Sequence, residues 1–286
     1  MSIVVTGATG QLGRLVIADL LARGTAPAEI AAVVRDAGKA ADLAASGVEL
    51  READYSRPET LKDAFRAGDR VLFVSGNEVG LRIPQHTAVV EAATAAQVAL
   101  IVYTGILGGP DADLILAEEH KATEKLILAS KLPHVFLRNG WYTEVYTQSL
   151  GTVLEHGAVV GAAGDGRIAS AARADYAAAA AAVLTSEGHE GRAYELSGDV
   201  AWSLAEYAAV VGELTGREIA YRNVSPQEYL AVLLGAGLPE DFAAVLVDVD
   251  RAIGQGLLAG TSGDLARLIG RPTTPVRETV AAALKG

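Results

Sequence analysis

The residues best suited to chemistry stand at the start of the chain. Thr6-Gly7-Ala8-Thr9-Gly10-Gln11-Leu12-Gly13 places glycines at 7, 10 and 13, behind the β-branched run Ile3-Val4-Val5. A helical pattern follows at once, with Leu12, Val16, Leu20 and Leu21 on one face. Strand, glycine turn and helix N-terminus together make a site for a pyrophosphate. Glycine lets the backbone come close to the anion, and the unbonded N–H groups and positive dipole end of the helix face it. The spacing is G-x-x-G-x-x-G, not the standard G-x-G-x-x-G, and glycine turns also occur without a ligand. Its place directly after a strand favours nucleotide binding, with Gly7, Thr9, Gly10, Gln11, Leu12 and Gly13 as contacts.

The second candidate is Arg35, at the end of the apolar run Ile30–Val34. In a dinucleotide fold the residue closing this strand meets the adenosine ribose, where an acid holds a 2′-hydroxyl and an arginine accommodates a 2′-phosphate. Arg35 therefore points to NADP(H) over NAD(H), with Lys39 nearby. Asp36 pulls the other way, and a solvated loop arginine would look the same. Asp54 follows the next strand, Val48–Ala53. It could bond an adenine amino group or cap the helix expected near Pro58.

These residues need elements to hold them. Apolar runs at 3–5, 30–34, 70–74 and 100–103, with the strand pattern of 48–53, alternate with helical patterns, and a sixth run covers 134–137. Unbroken apolar strands joined through helices predict a parallel sheet covered on both faces, with ligands at the carboxyl ends of its strands. The segments 7–13, 35–36, 54–55, 75–77 and 104–107 all fall at such ends. Ser75, Asn77 and Thr104 join the cofactor contacts on that ground. Beyond 142 the periodicity changes: 143–155 reads as helix and 158–170 as a glycine-rich, hairpin-like stretch. The chain divides into residues 1–142, a dinucleotide-binding domain whose sheet later strands complete, and 143–286, mainly a substrate-binding domain.

Composition narrows the choice. The chain has 286 residues, half of them hydrophobic and 21% charged, which suits a folded protein. A net charge of −11 argues against nucleic-acid binding. The absence of cysteine excludes disulfides, thiolate metal sites and cysteine nucleophiles. Neither metal-ligand spacing nor a G-x-S-x-G elbow is present. No basic–apolar leader and no bilayer-length apolar stretch is seen, so the expectation is a cytoplasmic protein without membrane insertion, a monomer or homodimer.

The whole pattern resembles the NmrA-like branch of the atypical short-chain dehydrogenase/reductases, a branch that includes quinone and dye reductases. The resemblance is carried by Thr6–Gly13, Ala53-Asp54-Tyr55, Pro84-Gln85-His86, Glu119-His120 with Thr123-Glu124-Lys125, and Leu137-Arg138-Asn139-Gly140-Trp141-Tyr142. It extends through Gly161–Gly166, Arg173-Ala174-Asp175-Tyr176 and Ile269–Thr274. It implies an α/β fold: a Rossmann-type doubly wound parallel sheet with a smaller C-terminal α/β substrate domain, and an active site in the cleft between the two parts.

One departure bears on the reaction. Ordinary short-chain reductases use a serine after the fifth strand and a Tyr-x-x-x-Lys pair on the next helix. Here Gly105 follows Tyr103-Thr104, and the 118–129 helix has no tyrosine. Without that acid, a ketone's alkoxide is poorly protonated, whereas a reduced quinone is a stabilised phenolate that takes its proton from water. The expected activity is therefore NADPH-dependent hydride transfer to a quinone or similar conjugated small-molecule acceptor. A dye reductase and a non-catalytic NADP(H) sensor are the alternatives. Asn139 and Gly140 would hold the carboxamide, while Ile106, Trp141 and Tyr142 line the acceptor pocket; the two aromatics equally suit packing at the domain junction. Tyr103, His120 and Asn139 are the candidates for chemistry, His120 as a proton relay. No role is assigned to His86 beyond satisfying a buried carbonyl.

Overall fold

The computed structural model describes residues 2–285. The chain forms two compact units. The first comprises residues up to Pro110, Ala117–Asn139 and Arg173–Leu196. Its strands are β1 (Ile3–Val5), β2 (Ile30–Val34), β3 (Glu49–Glu52), β4 (Arg70–Phe73), β5 (Leu100–Ile106) and β6 (His134–Asn139). Its helices include α1 (Gln11–Ala22), α2 (Ala41–Ala45), α3 (Arg82–Ala95) and α4 (Ala117–Ser130).

The sheet is parallel throughout, in the order β3-β2-β1-β4-β5-β6, and the strand Ala193–Leu196 completes it beside β6. Order reverses between β1 and β4, the switch point at which an open α/β sheet leaves a crevice for a ligand. The central strands read as unbroken apolar runs because both faces are covered. Val4, Val5, Ala31, Ala32, Val71, Leu72, Ile101 and Val102 are all fully buried. The Ala-rich helix Arg173–Thr185 packs on α1, its small side chains allowing close approach.

Three local expectations change. β5 runs on through Ile106, because Thr104, Gly105 and Ile106 pair with Leu137, Arg138 and Asn139 of β6; these residues are strand, not exit loop. The segment after Pro58 is a 3₁₀ turn (Pro58–Asp63) whose N-cap is Arg57. Asp54 does not cap it; its carboxylate accepts from the Ser56 N–H at 2.9 Å, closing its own turn.

The second unit holds Asp111–Leu116, Gly140–Ala172 and Ser197 onward. Its 158–170 stretch is not a hairpin. Ala158–Gly161 pairs in parallel with Ala220–Asn223, while Arg167–Ile168 pairs with Trp202–Ser203. The helix Leu204–Thr215 opens on a capping box between Ser203 and Glu206. Among the described residues no helix is long and apolar enough to cross a membrane.

Candidate active site

The carboxyl ends of the parallel strands bring the flagged residues of the first unit to one edge of the sheet. In sheet order they are Asp54, Arg35, the glycine turn, Ser75 with Asn77, Thr104 with Ile106, and Asn139. Gly7 sits at φ +58°, in the left-handed region that glycine enters without cost, and its carbonyl accepts from Gly10 N–H at 2.9 Å. Gly13 is needed for a different reason. A Cβ there would lie 2.4 Å from the Gly7 oxygen and 2.8 Å from Ala8 Cα, so only glycine lets α1 pack on the turn.

No side chain caps α1, and no acid stands in its first turn. Its leading N–H groups therefore remain available to an anion. Thr6 is buried beneath the turn and ties the strand ends together. Its Oγ1 accepts from Val74 N–H at 3.0 Å and lies within hydrogen-bond distance of the Tyr55 hydroxyl.

At the β2 end, Asp36 is occupied: its carboxylate accepts from Gly38 N–H at 2.9 Å and caps the turn 37–40. Arg35 is exposed, and among the described residues no hydrogen bond or ion pair is found for its guanidinium. The acid is therefore engaged in its own turn, and the cation is not engaged with it.

The other half of the edge rests on a buried polar layer. Thr104 Oγ1 accepts from Ser75 N–H at 2.9 Å. Tyr103 points the opposite way, fully buried, with its hydroxyl 2.7 Å from His120 Nδ1. Arg82, which can only donate, approaches His120 Nε2 at 3.5 Å, so Nδ1 carries the proton and donates to the Tyr103 oxygen. Burial, then the charges of Arg82 and His86, pushes His120 down to about 3, which keeps it neutral.

Gly105 shares Tyr103's face of β5. A Cβ there would meet Glu124 Oε1 at 3.4 Å, the Tyr103 ring at 3.5 Å and Arg138 Cγ at 3.7 Å. A side chain at this position would turn toward an ion triad behind the strand. In that triad Arg138 bonds both oxygens of Glu124, at 2.9 and 2.8 Å, and Glu195 at 2.8 Å. Glu195 also accepts from Gly108 N–H at 2.7 Å, fixing the loop after β5.

Ile106 and Asn139 stand side by side in register at the ends of β5 and β6. Gly140, Trp141 and Tyr142 follow in the chain but belong to the second unit. There Trp141 and Tyr142 are half-buried, and the Trp141 carbonyl accepts from Ala171 N–H at 3.2 Å. His86 satisfies a backbone N–H, that of Gly76 at 3.0 Å, and not a carbonyl. Arg82, which holds the carbonyl of the same Gly76 peptide, carried no periodic or motif signal of its own.

A doubly wound parallel sheet with an uncapped helix behind a glycine turn at its switch point defines a dinucleotide-binding protein. The chain belongs to the NAD(P)H-binding family, whose profile matches residues 7–187. It is 47% identical over 279 residues, 97% of each chain, to quinone oxidoreductase 2 of Escherichia coli strain K12. The crystal structure of an NADPH-dependent quinone oxidoreductase complexed with NADPH, from Escherichia coli, superimposes with a TM-score of 0.95 at 45% identity, covering 99% of both chains. Triphenylmethane reductase of Citrobacter sp., complexed with NADP(H), gives 0.92 at 42% identity, covering 99% of this chain and 100% of that one. The expected kinship with quinone and triphenylmethane reductases holds.

Proposed function

We propose that this protein is an NADPH-dependent reductase that passes hydride to a quinone or a similar flat, conjugated acceptor. The glycine turn and the first turn of α1 would hold the pyrophosphate, Arg35 the 2′-phosphate, and Ser75, Asn77, Thr104 and Asn139 the nicotinamide half. A reduced nicotinamide, when bound, supplies the hydride. The chain's own part is to orient the reactants and to exclude water.

The observation that carries the choice of acceptor is the state of the acids around β5 and α4. Tyr103 is fully buried, and His120 is 7% exposed and neutral. Their bond to each other supports a place behind the site and not on the acceptor. α4 carries no tyrosine, and a side chain at Gly105 would face Glu124 and Arg138. An acceptor whose reduced form is a stable phenolate needs no acid from the protein. A ketone does.

The test follows NADPH and NADH absorbance with purified protein, with and without benzoquinones, naphthoquinones and triphenylmethane dyes. Quinone-dependent oxidation faster with NADPH is expected. Turnover with dyes alone would move the acceptor class. Tight NADPH binding without turnover on any acceptor would overturn the reductase reading in favour of a cofactor sensor.

A further inference from the structure

The peptide of Gly76, on the loop leaving β4, is gripped at both its polar groups. Its N–H donates to Nε2 of His86 at 3.0 Å, and its carbonyl accepts from Nε of Arg82 at 2.6 Å. Both side chains come from the first turns of α3 and are buried, His86 completely. His86 Nδ1 lies 2.7 Å from Thr123 Oγ1, and that hydroxyl donates to the Glu119 carbonyl at 2.8 Å. The one hydrogen of Thr123 is spent there, so Nδ1 must carry the imidazole proton and Nε2 offers its lone pair to Gly76. The rings of Phe73, Tyr103 and Tyr55 enclose the imidazole, with centroids 4.8, 5.9 and 6.5 Å away.

α4 secures the rest of the loop. Glu119 Oε1 accepts from Gly80 N–H at 3.0 Å and Arg82 N–H at 3.2 Å, and its carboxylate stands 3.8 Å from the Arg82 guanidinium. Burying an imidazole and a guanidinium is costly compared with a leucine core. Here that cost fixes one peptide at the ligand-facing end of β4 and leaves Asn77, next to it, exposed.

We infer that His86 and Arg82 are positioning residues for the dinucleotide: by locking the Gly76 peptide they hold Ser75 and Asn77 in the arrangement that receives it. The inference rests on the reading above for which ligand the loop meets. The test measures NADPH binding alone, without acceptor, by fluorescence titration of wild type, His86→Leu, His86→Gln and Arg82→Met, with thermal unfolding and steady-state kinetics in parallel. Leucine leaves the Gly76 N–H unpaired and is expected to weaken NADPH binding about tenfold, as is Arg82→Met from the carbonyl side.

Glutamine, whose Oε1 reaches to where Nε2 stands, recovers most of the loss. The loss falls on KM for NADPH more than on kcat. Folded His86→Leu and Arg82→Met proteins that bind NADPH within twofold of wild type would overturn the inference. So would a Tm loss without a binding loss. If His86→Leu does not fold, Arg82→Met and His86→Gln decide it. A wild-type protein that binds no NADPH would instead refute the cofactor reading, and one that binds but does not turn over leaves this test intact.

Discussion

Replacing Asp250 by asparagine should stabilise the protein at neutral pH and leave it almost unchanged in acid. Asp250 lies on the helix Glu240–Gly254, is 3% exposed, and accepts from Ala162 N–H at 2.6 Å through Oδ2. Its electrostatic neighbours include the hydroxyls of Tyr146, Tyr221 and Tyr229, and among the described residues no cation pairs with it. Burial raises its pKa from 3.8 to about 6, while the Ala162 bond works the other way. A carboxyl whose folded value lies above its unfolded one favours the native state while neutral. That contribution is complete below the unfolded pKa and is lost as pH rises through the folded one.

The interval between the two values corresponds to about 3 kcal/mol above pH 7. Asparagine keeps an acceptor for Ala162 and never ionises. Urea unfolding at pH 4, 6 and 8, followed by tryptophan fluorescence, reads the effect. The variant should exceed wild type by about 2–3 kcal/mol at pH 8, with the difference falling to about 0.5 kcal/mol near pH 4, at equal m-values. Acid protonation of His86 and His120 weakens both proteins alike and cancels in the difference. A gap that does not change with pH, or an asparagine variant less stable at pH 8, would refute the reasoning.

Gly13→Ala should drive its Cβ into the Gly7 carbonyl and Ala8, costing about 1–3 kcal/mol of stability and abolishing measurable NADPH binding in a fluorescence titration. Arg35→Ser should weaken NADPH about 10- to 100-fold, the worth of a charge-assisted phosphate contact, and leave NADH within twofold; equal losses on both cofactors would show that Arg35 does not read the 2′-phosphate. Arg138→Met strands Glu124, 5% exposed on its side chain, beside a half-exposed Glu195. It should lower stability by about 2–3 kcal/mol in urea, with part recovered on adding Glu124→Gln.

The sheet was legible because most of its strands are apolar runs, the edge strand Glu49–Glu52 excepted, and each exit carries turn or polar residues. The glycine turn announced itself by position. What stayed hidden is orientation. In a strand buried on both faces, polarity does not alternate, so nothing in Leu100-Ile-Val-Tyr-Thr-Gly-Ile106 says that Tyr103 and Gly105 face α4 while Thr104 faces Ser75. Long-range pairing was hidden as well. Glycines at 161, 164 and 166 look like a hairpin, but Ala158–Gly161 and Arg167–Ile168 take partners far along the chain. The clamp on Gly76 joins residues from α3 and α4 across more than thirty positions, and neither helix marks them by spacing.

The ion triad and the late strand beside β6 also set a timetable for synthesis. β6 presents Phe136 to Asn139 along the edge that Ala193–Leu196 covers, and Gly140–Ala172 is made in between as part of the other unit. At about 5–20 residues per second a nascent chain presents that edge for several seconds before its cover emerges. During that time Arg138 can bond Glu124 but not Glu195, and the loop at Gly108 has no carboxylate to anchor it. The interval just after β6 is made is therefore one in which this edge is open to misassembly on the ribosome.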